Sequence, residues 1–174
     1  GVEDPENHNP TEVEAVYIIG DFSVKNIDNT KFIIDGEKED ISQGRNLNKE
    51  GYPFYAGKVE YSTFVNIENI LKEDLWFKVN EVEAACIEIY INGEKIGNKY
   101  WKPYLFEVSD YIQEGENEIK ITAATDLFNL TGPNWISGIK EDKGISPHSF
   151  IDFSRYTEKY SFFPFGIGGV SLIK

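Results

Sequence analysis

The sequence predicts an all-β protein, an antiparallel β-sandwich of the jelly-roll type. Short apolar segments follow one another with Gly, Asn and Pro turns between them, and almost none of the chain shows the periodicity of a helix. Aromatic residues make up 14% of the sequence, which favours strands because flat side chains pack well on a pleated surface. The 174 residues are most simply one domain with an adequate core.

The polar start of the chain predicts a flexible linker over residues 1–12, followed by the β-sandwich domain over residues 13–174. The linker contains two prolines and few apolar residues, so it cannot bury enough surface to fold. The next segment, Val13–Phe22 (VEAVYIIGDF), is aliphatic and predicts a buried strand. Lys31–Asp35 (KFIID) predicts a second strand, which a turn at Gly36 ends.

The segment KVEYSTFVNI, residues 58–67, alternates between apolar and polar positions. Its apolar face is formed by Val59, Tyr61, Thr63, Val65 and Ile67. The opposite face is polar, with Phe64 as the exception. This period of two predicts a half-exposed antiparallel strand. Another strand is predicted over LWFKV, residues 75–79.

The strongest local signal is the hairpin CIEIYINGEKIG, which begins at Cys86. Isoleucines alternate with other residues up to Asn92-Gly93, the preferred pair of a type I′ turn because both positions need positive φ. Cys86 is the single cysteine, so no disulfide within the chain can form. Its position in a strand predicts a buried, small apolar residue rather than a nucleophile.

The last third of the chain contains two predicted strands and one long connection. Gly115 and Asn117 predict a turn before the strand EIKITAAT. Gly169–Lys174 predicts a closing strand. The long connection spans residues 126–161 and is irregular in sequence. A loop of this length inside a domain is usually functional or covered by a neighbour.

The charge of the chain argues against two classes of partner. There are 17 basic and 30 acidic residues, a net charge of -13, and such a chain repels nucleic acids and anionic membranes. No apolar segment approaches the ~18 residues of a membrane span. The chain starts at Gly1 and contains no Met, so we interpret it as a piece of a longer protein.

The residues from 91 to 121 follow a pattern of a hairpin turn, a glycine, a Pro-aromatic pair, a strand, an Asp turn and Gly-x-Asn. The matching residues are Asn92-Gly93, Gly97, Pro103-Tyr104, Phe106, Val108, Asp110 and Gly115-Glu116-Asn117. This pattern resembles the galactose-binding-like jelly rolls appended to large glycoside hydrolases, such as the sugar-binding domain of family 2 enzymes. The same scaffold carries binding, structural and interdomain roles.

Further segments resemble the terminal β-sandwich of long bacterial glycosidases of the rhamnosidase-like kind. They are VYIIGDF, GYPFYAGKVEYSTF, NLTGPNW, SPHSF and FFPFGIGGV, so the resemblance covers nearly all of residues 13–174. It implies a non-catalytic module of a bacterial glycoside hydrolase, with the catalytic machinery in another domain. For such a parent an extracellular or periplasmic location is favoured. The module would bind carbohydrate weakly or dock on the catalytic domain of the parent.

A sugar site needs aromatic rings that stack on the apolar faces of the sugar, with planar polar groups beside them. Three loops offer such residues, and loops at one end of a jelly roll can converge on a shared cleft. The candidates are Trp135, Asn134, Asn129 and His148 of the long loop, Tyr100, Trp101 and Tyr104 of the 98–104 loop, and Arg45 and Tyr52 of the 44–55 loop. The alternative is that these side chains close the end of the sandwich or pack on a neighbouring domain.

An enzymatic role and a metal site remain as alternatives. A glycosidase needs a carboxylate pair, but no motif marks one among the 30 acidic residues, so the chain itself is predicted to be non-catalytic. The resemblance also implies that a loop can hold a structural Ca²⁺. Asp21, Asp28 and Asp35 are the candidate ligands, although no Asp-x-Asp-x-Asp-Gly loop is present and solvated turn carboxylates are the alternative.

Overall fold

Two antiparallel sheets face each other across one hydrophobic core in this computed structural model, which describes residues 16–38, 45–68, 74–131 and 157–174. The predicted all-β sandwich is therefore confirmed. The strands are β1 Ser23–Asn26, β2 Phe32–Asp35, β3 Lys58–Ile67, β4 Trp76–Asn80, β5 Cys86–Ile91, β6 Glu94–Lys99, β7 Leu105–Glu107, β8 Gly115–Ala124 and β9 Gly169–Ile173. The predicted linker, residues 1–12, lies outside the described residues.

The sandwich has a four-stranded sheet in the order β3-β8-β5-β6 and a three-stranded sheet in the order β7-β4-β9. The strands β1 and β2 form a separate hairpin. Within the described ranges, the helix α1 Phe128–Thr131 has four residues, and no helix there is long and apolar enough to cross a bilayer.

The core lies between the inner faces of the two sheets. Ile87, Ile89 and Ile91 of β5 are almost completely buried, as their alternation in the sequence predicts. They share one cluster with Phe77 and Val79 of β4 in the opposite sheet. Burial of each such side chain contributes about 1.5–3 kcal/mol to the stability of the fold.

The predicted β5–β6 hairpin turn is confirmed at Asn92 and Gly93, whose φ angles are 51° and 83°. A side-chain network extends from this turn into the fold. The Asn92 amide nitrogen donates to Asn117 Oδ1 at 3.0 Å, and the Gln113 backbone N–H donates to the same oxygen at 2.9 Å. Asn117 Nδ2 in turn donates to the carbonyls of Gln113 and Gly115. The buried Asn117 side chain therefore fixes both the hairpin and the start of β8.

The strand β3 alternates as predicted, but its inner face is only partly covered. The three-stranded sheet has one strand fewer, so a groove of about 740 Å³ remains open between β3 and β9. Val65 of β3 is 37% exposed and Leu172 of β9 is 41% exposed along this groove. Tyr61 lies deeper, where burial raises the pKa of its hydroxyl to about 12.

Two predictions about the outer parts of the fold are wrong. Residues 16–22 of the predicted strand Val13–Phe22 form no strand, and Val16 and Ile19 are 90% and 94% exposed. Among the described residues no neighbouring strand offers them a backbone ladder, because β1 pairs with β2 alone. Cys86 lies on the outer face of β5 and is half-buried, because the three core positions of that strand are its isoleucines.

We expect the substitution Asn117→Ala to lower the free energy of unfolding by about 2–4 kcal/mol, because it removes a buried side chain and its hydrogen bonds to Asn92, Gln113 and Gly115. Urea denaturation followed by circular dichroism measures this change. Asn98→Ala is the matched control, since Asn98 is exposed on β6; we expect a change below about 0.5 kcal/mol there. Equal denaturation midpoints for Asn117→Ala and the parent protein would contradict the structural role.

Candidate functional site

A cleft of about 760 Å³ opens on the outer face of the three-stranded sheet, beyond the end of β4. Its polar side chains come from three separate parts of the chain. They are Arg45, Lys78, Asn80, Glu81, Lys102 and Tyr104. Lys78 and Asn80 occupy the outward positions of β4, which alternate with the buried Phe77 and Val79.

The segment 165–169 assembles this cleft through its backbone. The carbonyl of Phe165 accepts the N–H of Leu47 at 2.9 Å, which holds the turn that carries Arg45. Gly166 exchanges two backbone hydrogen bonds with Glu83, each 3.0 Å long, and the Gly168 N–H donates to the carbonyl of Asn80 at 2.9 Å. Three distant parts of the sequence are thereby joined beside β9.

A close contact between Gly168 and Glu81 forms the floor of the cleft. A Cβ atom at Gly168 would lie 2.6 Å from Glu81 Oε2 and 2.7 Å from Glu81 Cβ, so no side chain fits there without a shift of the backbone. Glu81 itself has a φ of 47°, which is unusual for a residue with a side chain. This geometry directs the Glu81 carboxylate toward Arg45, whose Nη2 lies 3.3 Å from Oε2.

The cleft has an excess of positive charge. Arg45 is paired with Glu81, and its guanidinium also approaches the carbonyl of Gly168 at 3.4 Å. Lys78 and Lys102 are exposed and form no ion pair with any described residue. The cleft therefore presents cations that are not neutralised by the described part of the protein.

Aromatic side chains flank the cleft on the β6–β7 connection. Tyr104 is half-buried against the core, and its carbonyl accepts the N–H of Val79 at 2.9 Å. Trp101, which directly precedes Lys102, is 75% exposed, and Tyr100 is 58% exposed. Their ring centroids are 6.0 Å apart at an interplanar angle of 37°. Exposed rings beside polar groups are the arrangement that sugar recognition requires.

The structure brings some of the sequence-predicted site residues together and separates others. Arg45 and Tyr104 line the same cleft, and Trp101 and Tyr100 belong to the connection that forms its wall. Trp135, Asn134 and His148, predicted for the same platform, lie outside the described residues.

Two predicted ligand-binding residues make hydrogen bonds within the fold. The hydroxyl of Tyr52 accepts the backbone N–H of Lys38 at 3.3 Å, and its ring packs on the core. Asn129 is buried, accepts the N–H of Phe163 at 2.9 Å and donates to the carbonyl of Phe163 at 2.8 Å. These bonds use polar groups that a sugar would otherwise engage, and a binding role for Tyr52 and Asn129 stays a prediction.

Four polar residues of the cleft were missed by the sequence reasoning. Lys78 and Asn80 are the outward residues of a strand that the sequence does predict, so its alternation was a usable signal. Glu81 and Lys102 gave no signal, because their position depends on the close approach of Gly168 and on the path of the β6–β7 connection.

Two of the three aspartates proposed for calcium, Asp28 and Asp35, are engaged in local turns. The hydrogen bond from the side chain of Thr30 to Asp28 Oδ1, at 2.7 Å, lowers the pKa of this carboxyl, and the backbone N–H groups of Thr30 and Lys31 also donate to it. Asp35 Oδ1 accepts the N–H of Gly36 at 2.8 Å. Nowhere in the described ranges do three His, Cys, Asp or Glu side chains form a group that could hold a metal ion. Calcium binding stays a prediction.

Comparison with known proteins gives structural relatives only. Neither a protein-family model nor a curated protein matches this chain. The chain is similar to a rhamnosidase from Novosphingobium sp. PP1Y, with a TM-score of 0.56 and 18% identity, covering 94% of this chain and 16% of that chain. It is also similar to a β-glucuronidase from Bifidobacterium dentium, with a TM-score of 0.42 and 17% identity, covering 47% of this chain and 14% of that chain.

The structural relatives are glycoside hydrolases, and this chain spans only a small part of each. The similarity to the rhamnosidase extends over 94% of this chain, so it supports the β-sandwich as a whole. This chain spans 16% of the length of that rhamnosidase. At 18% identity the similarity shows the fold and leaves the activity to be argued from the residues.

We expect Gly168→Ala to destabilise the domain by about 1–3 kcal/mol, because the new methyl group overlaps Glu81 Cβ and not only its flexible carboxylate. Thermal unfolding measures the effect. Gly97→Ala is the matched control, since a Cβ atom there would make an ordinary 3.8 Å contact with the ring of Phe106. If the two variants unfold at the same temperature, the contact between residues 81 and 168 does not shape the cleft.

Proposed function

We propose that this chain is a non-catalytic, galactose-binding-like accessory module of a larger glycoside hydrolase, and that it binds carbohydrate weakly in the cleft beyond β4. The observation that carries the proposal is the meeting of Arg45 and Tyr104 in one cleft. They belong to different loops that the sequence had marked separately as sugar-binding candidates. The rhamnosidase comparison supports the parent class through the shared fold and the small part of that enzyme that is covered.

The side chains of the cleft fit the chemistry of a sugar ring. The guanidinium of Arg45, the amide of Asn80 and the ammonium groups of the two lysines can donate to hydroxyl oxygens. The Glu81 carboxylate can accept hydroxyl protons. Tyr104 supplies aromatic surface for the C–H groups of the ring, and the exposed Trp101 lies on the connection that forms one wall of the cleft. An open cleft with few rings predicts affinities in the millimolar to high micromolar range.

A catalytic role is less well supported by the same cleft. Hydrolysis of a glycosidic bond requires two carboxyl groups about 5–10 Å apart. Among the described residues that line the cleft, Glu81 is the one carboxylate, and it is paired with Arg45. The proposal therefore places the chemistry in another domain of the parent enzyme.

The proposal predicts a saturable change in tryptophan fluorescence when the folded chain is titrated with a panel of oligosaccharides. Arg45→Ala and Tyr104→Ala should weaken the binding about tenfold or more, since each removes a polar or aromatic contact worth about 1.4 kcal/mol. Tyr90→Ala is the matched control, because Tyr90 lies on the outer face of the four-stranded sheet. Calcium is included and omitted in parallel titrations. Absence of binding across the panel by a folded protein would overturn the carbohydrate-binding role.

A second candidate function, docking on the parent enzyme, is favoured by a separate observation. An apolar hollow of about 500 Å³ lies between the β1–β2 hairpin and the segment before it. Val16, Ile18 and Ile34 line it and are exposed, on top of a cluster of aromatic rings. The rings are Phe32, Phe54, Tyr160 and Phe162, with centroids 5.0–6.1 Å apart. An apolar surface of this kind fits a neighbouring domain better than a sugar.

The docking role predicts that polar substitution of this hollow loosens the domain in the full-length parent enzyme. Ile18→Ser with Ile34→Ser should make this domain unfold in a separate, earlier thermal transition, because the interdomain contact is lost. Phe64→Ser is the matched control, as Phe64 is an exposed apolar residue on the four-stranded sheet. A single transition that the double variant leaves unchanged would overturn docking through this surface.

A further inference from the structure

We propose that the ligand of this cleft is an acidic saccharide, whose carboxylate or sulfate group is held by Arg45, Lys78 and Lys102. The inference rests on the proposed carbohydrate-binding function and adds the charge of the ligand to it. It depends on how the few basic residues of an acidic protein are distributed, which is independent of the resemblance to any family.

The cleft and the whole chain have opposite charges. The chain has 17 basic and 30 acidic residues, which gives 17 − 30 = −13. The residues that line the cleft include three cations, Arg45, Lys78 and Lys102, and one carboxylate, Glu81, so their sum is 3 − 1 = +2. A local positive charge on an acidic protein concentrates anions at that place and repels them elsewhere on the surface.

The lysines of the cleft differ from three lysines of the four-stranded sheet that are paired with carboxylates. Lys58, Lys95 and Lys120 each lie within 4 Å of a carboxylate, and the hydrogen bond from Lys95 lowers the pKa of Glu88. No described carboxylate lies that close to Lys78 or Lys102. Two such cations beside an arginine repel one another, and a bound anion would remove that repulsion.

The geometry at Arg45 leaves donors for such a ligand. A guanidinium has five N–H donors, and the described partners of Arg45 are the Glu81 carboxylate at 3.3 Å and the Gly168 carbonyl at 3.4 Å, both from Nη2. The remaining donors can engage a carboxylate or sulfate in the two-point manner that arginine favours. Tyr104 in the same cleft supplies the ring surface that distinguishes a sugar from a simple anion.

A second cavity of the protein is also lined by lysines but fits an acidic sugar less well. It lies between the β1–β2 hairpin and residues 48–51, has a volume of about 630 Å³ and includes Lys25, Lys38 and Lys49. Its aspartates nearly balance this charge, Lys38 donates to the Glu50 carbonyl at 2.6 Å, and no described aromatic residue lines it. This cavity provides a matched control for charge.

The test is isothermal titration of the folded chain with three classes of oligosaccharide of equal length: neutral hexoses, hexuronates and sulfated hexoses. We expect at least one acidic class to bind about fivefold or more tightly than the neutral class. Its affinity should fall as the salt concentration rises from about 20 to 500 mM, because salt screens exposed charges. Stronger binding of hexuronates or of sulfated hexoses identifies which acidic group the cleft accepts.

Two double variants locate the site. Lys78→Gln with Lys102→Gln should abolish the preference for acidic sugars, whereas Lys25→Gln with Lys49→Gln, which makes the same change in net charge, should leave it intact. Thermal unfolding establishes that both are folded. The inference is overturned if neutral and acidic sugars bind equally well, which would leave the proposed function standing, or if the second variant alone loses the preference. Absence of binding to all three classes would overturn both the inference and the proposed function.

Discussion

The backbone of residues 165–169 makes hydrogen bonds to two separate parts of the chain, and the shape of the cleft beyond β4 depends on them. Phe165 holds the turn at Leu47, Gly166 pairs with Glu83, and Gly168 pairs with Asn80. The segment can pass so close to Glu81 only because residue 168 has no side chain. From there the chain enters β9, so the same contact also sets the register of the last strand on β4.

The parts of the fold that follow from local rules could be predicted from the sequence. Alternating isoleucines with Asn92-Gly93 specify a hairpin, because a strand has a period of two and a type I′ turn needs positive φ. The strand predicted over Val13–Phe22 fails within residues 16–22, because an aliphatic run becomes a strand only where another strand offers it hydrogen bonds. Pairing is a property of the tertiary structure, which composition does not report.

For the candidate site, too, the sequence indicates which residue types lie in loops but not which of them come together in the folded protein. Arg45 and Tyr104 could be selected from the sequence as polar and aromatic loop residues, but so could Tyr52 and Asn129, whose polar groups bond to the backbone of the protein itself. Loop residues that stabilise a fold and loop residues that bind a ligand have the same composition. Glu81 joins Arg45 only through the packing of Gly168, which no pattern of residue types indicates.

The net negative charge of the chain opposes self-association through the open side of the sandwich. Among the described strands, β3 and β9 each have a neighbour on one side only, and the groove between them exposes aliphatic side chains. Free strand edges with apolar faces are templates on which further copies can add. A net charge of -13 opposes that addition by mutual repulsion. The repulsion vanishes near the isoelectric point of 4.6, so colloidal stability of the isolated domain is a property of neutral and alkaline solutions.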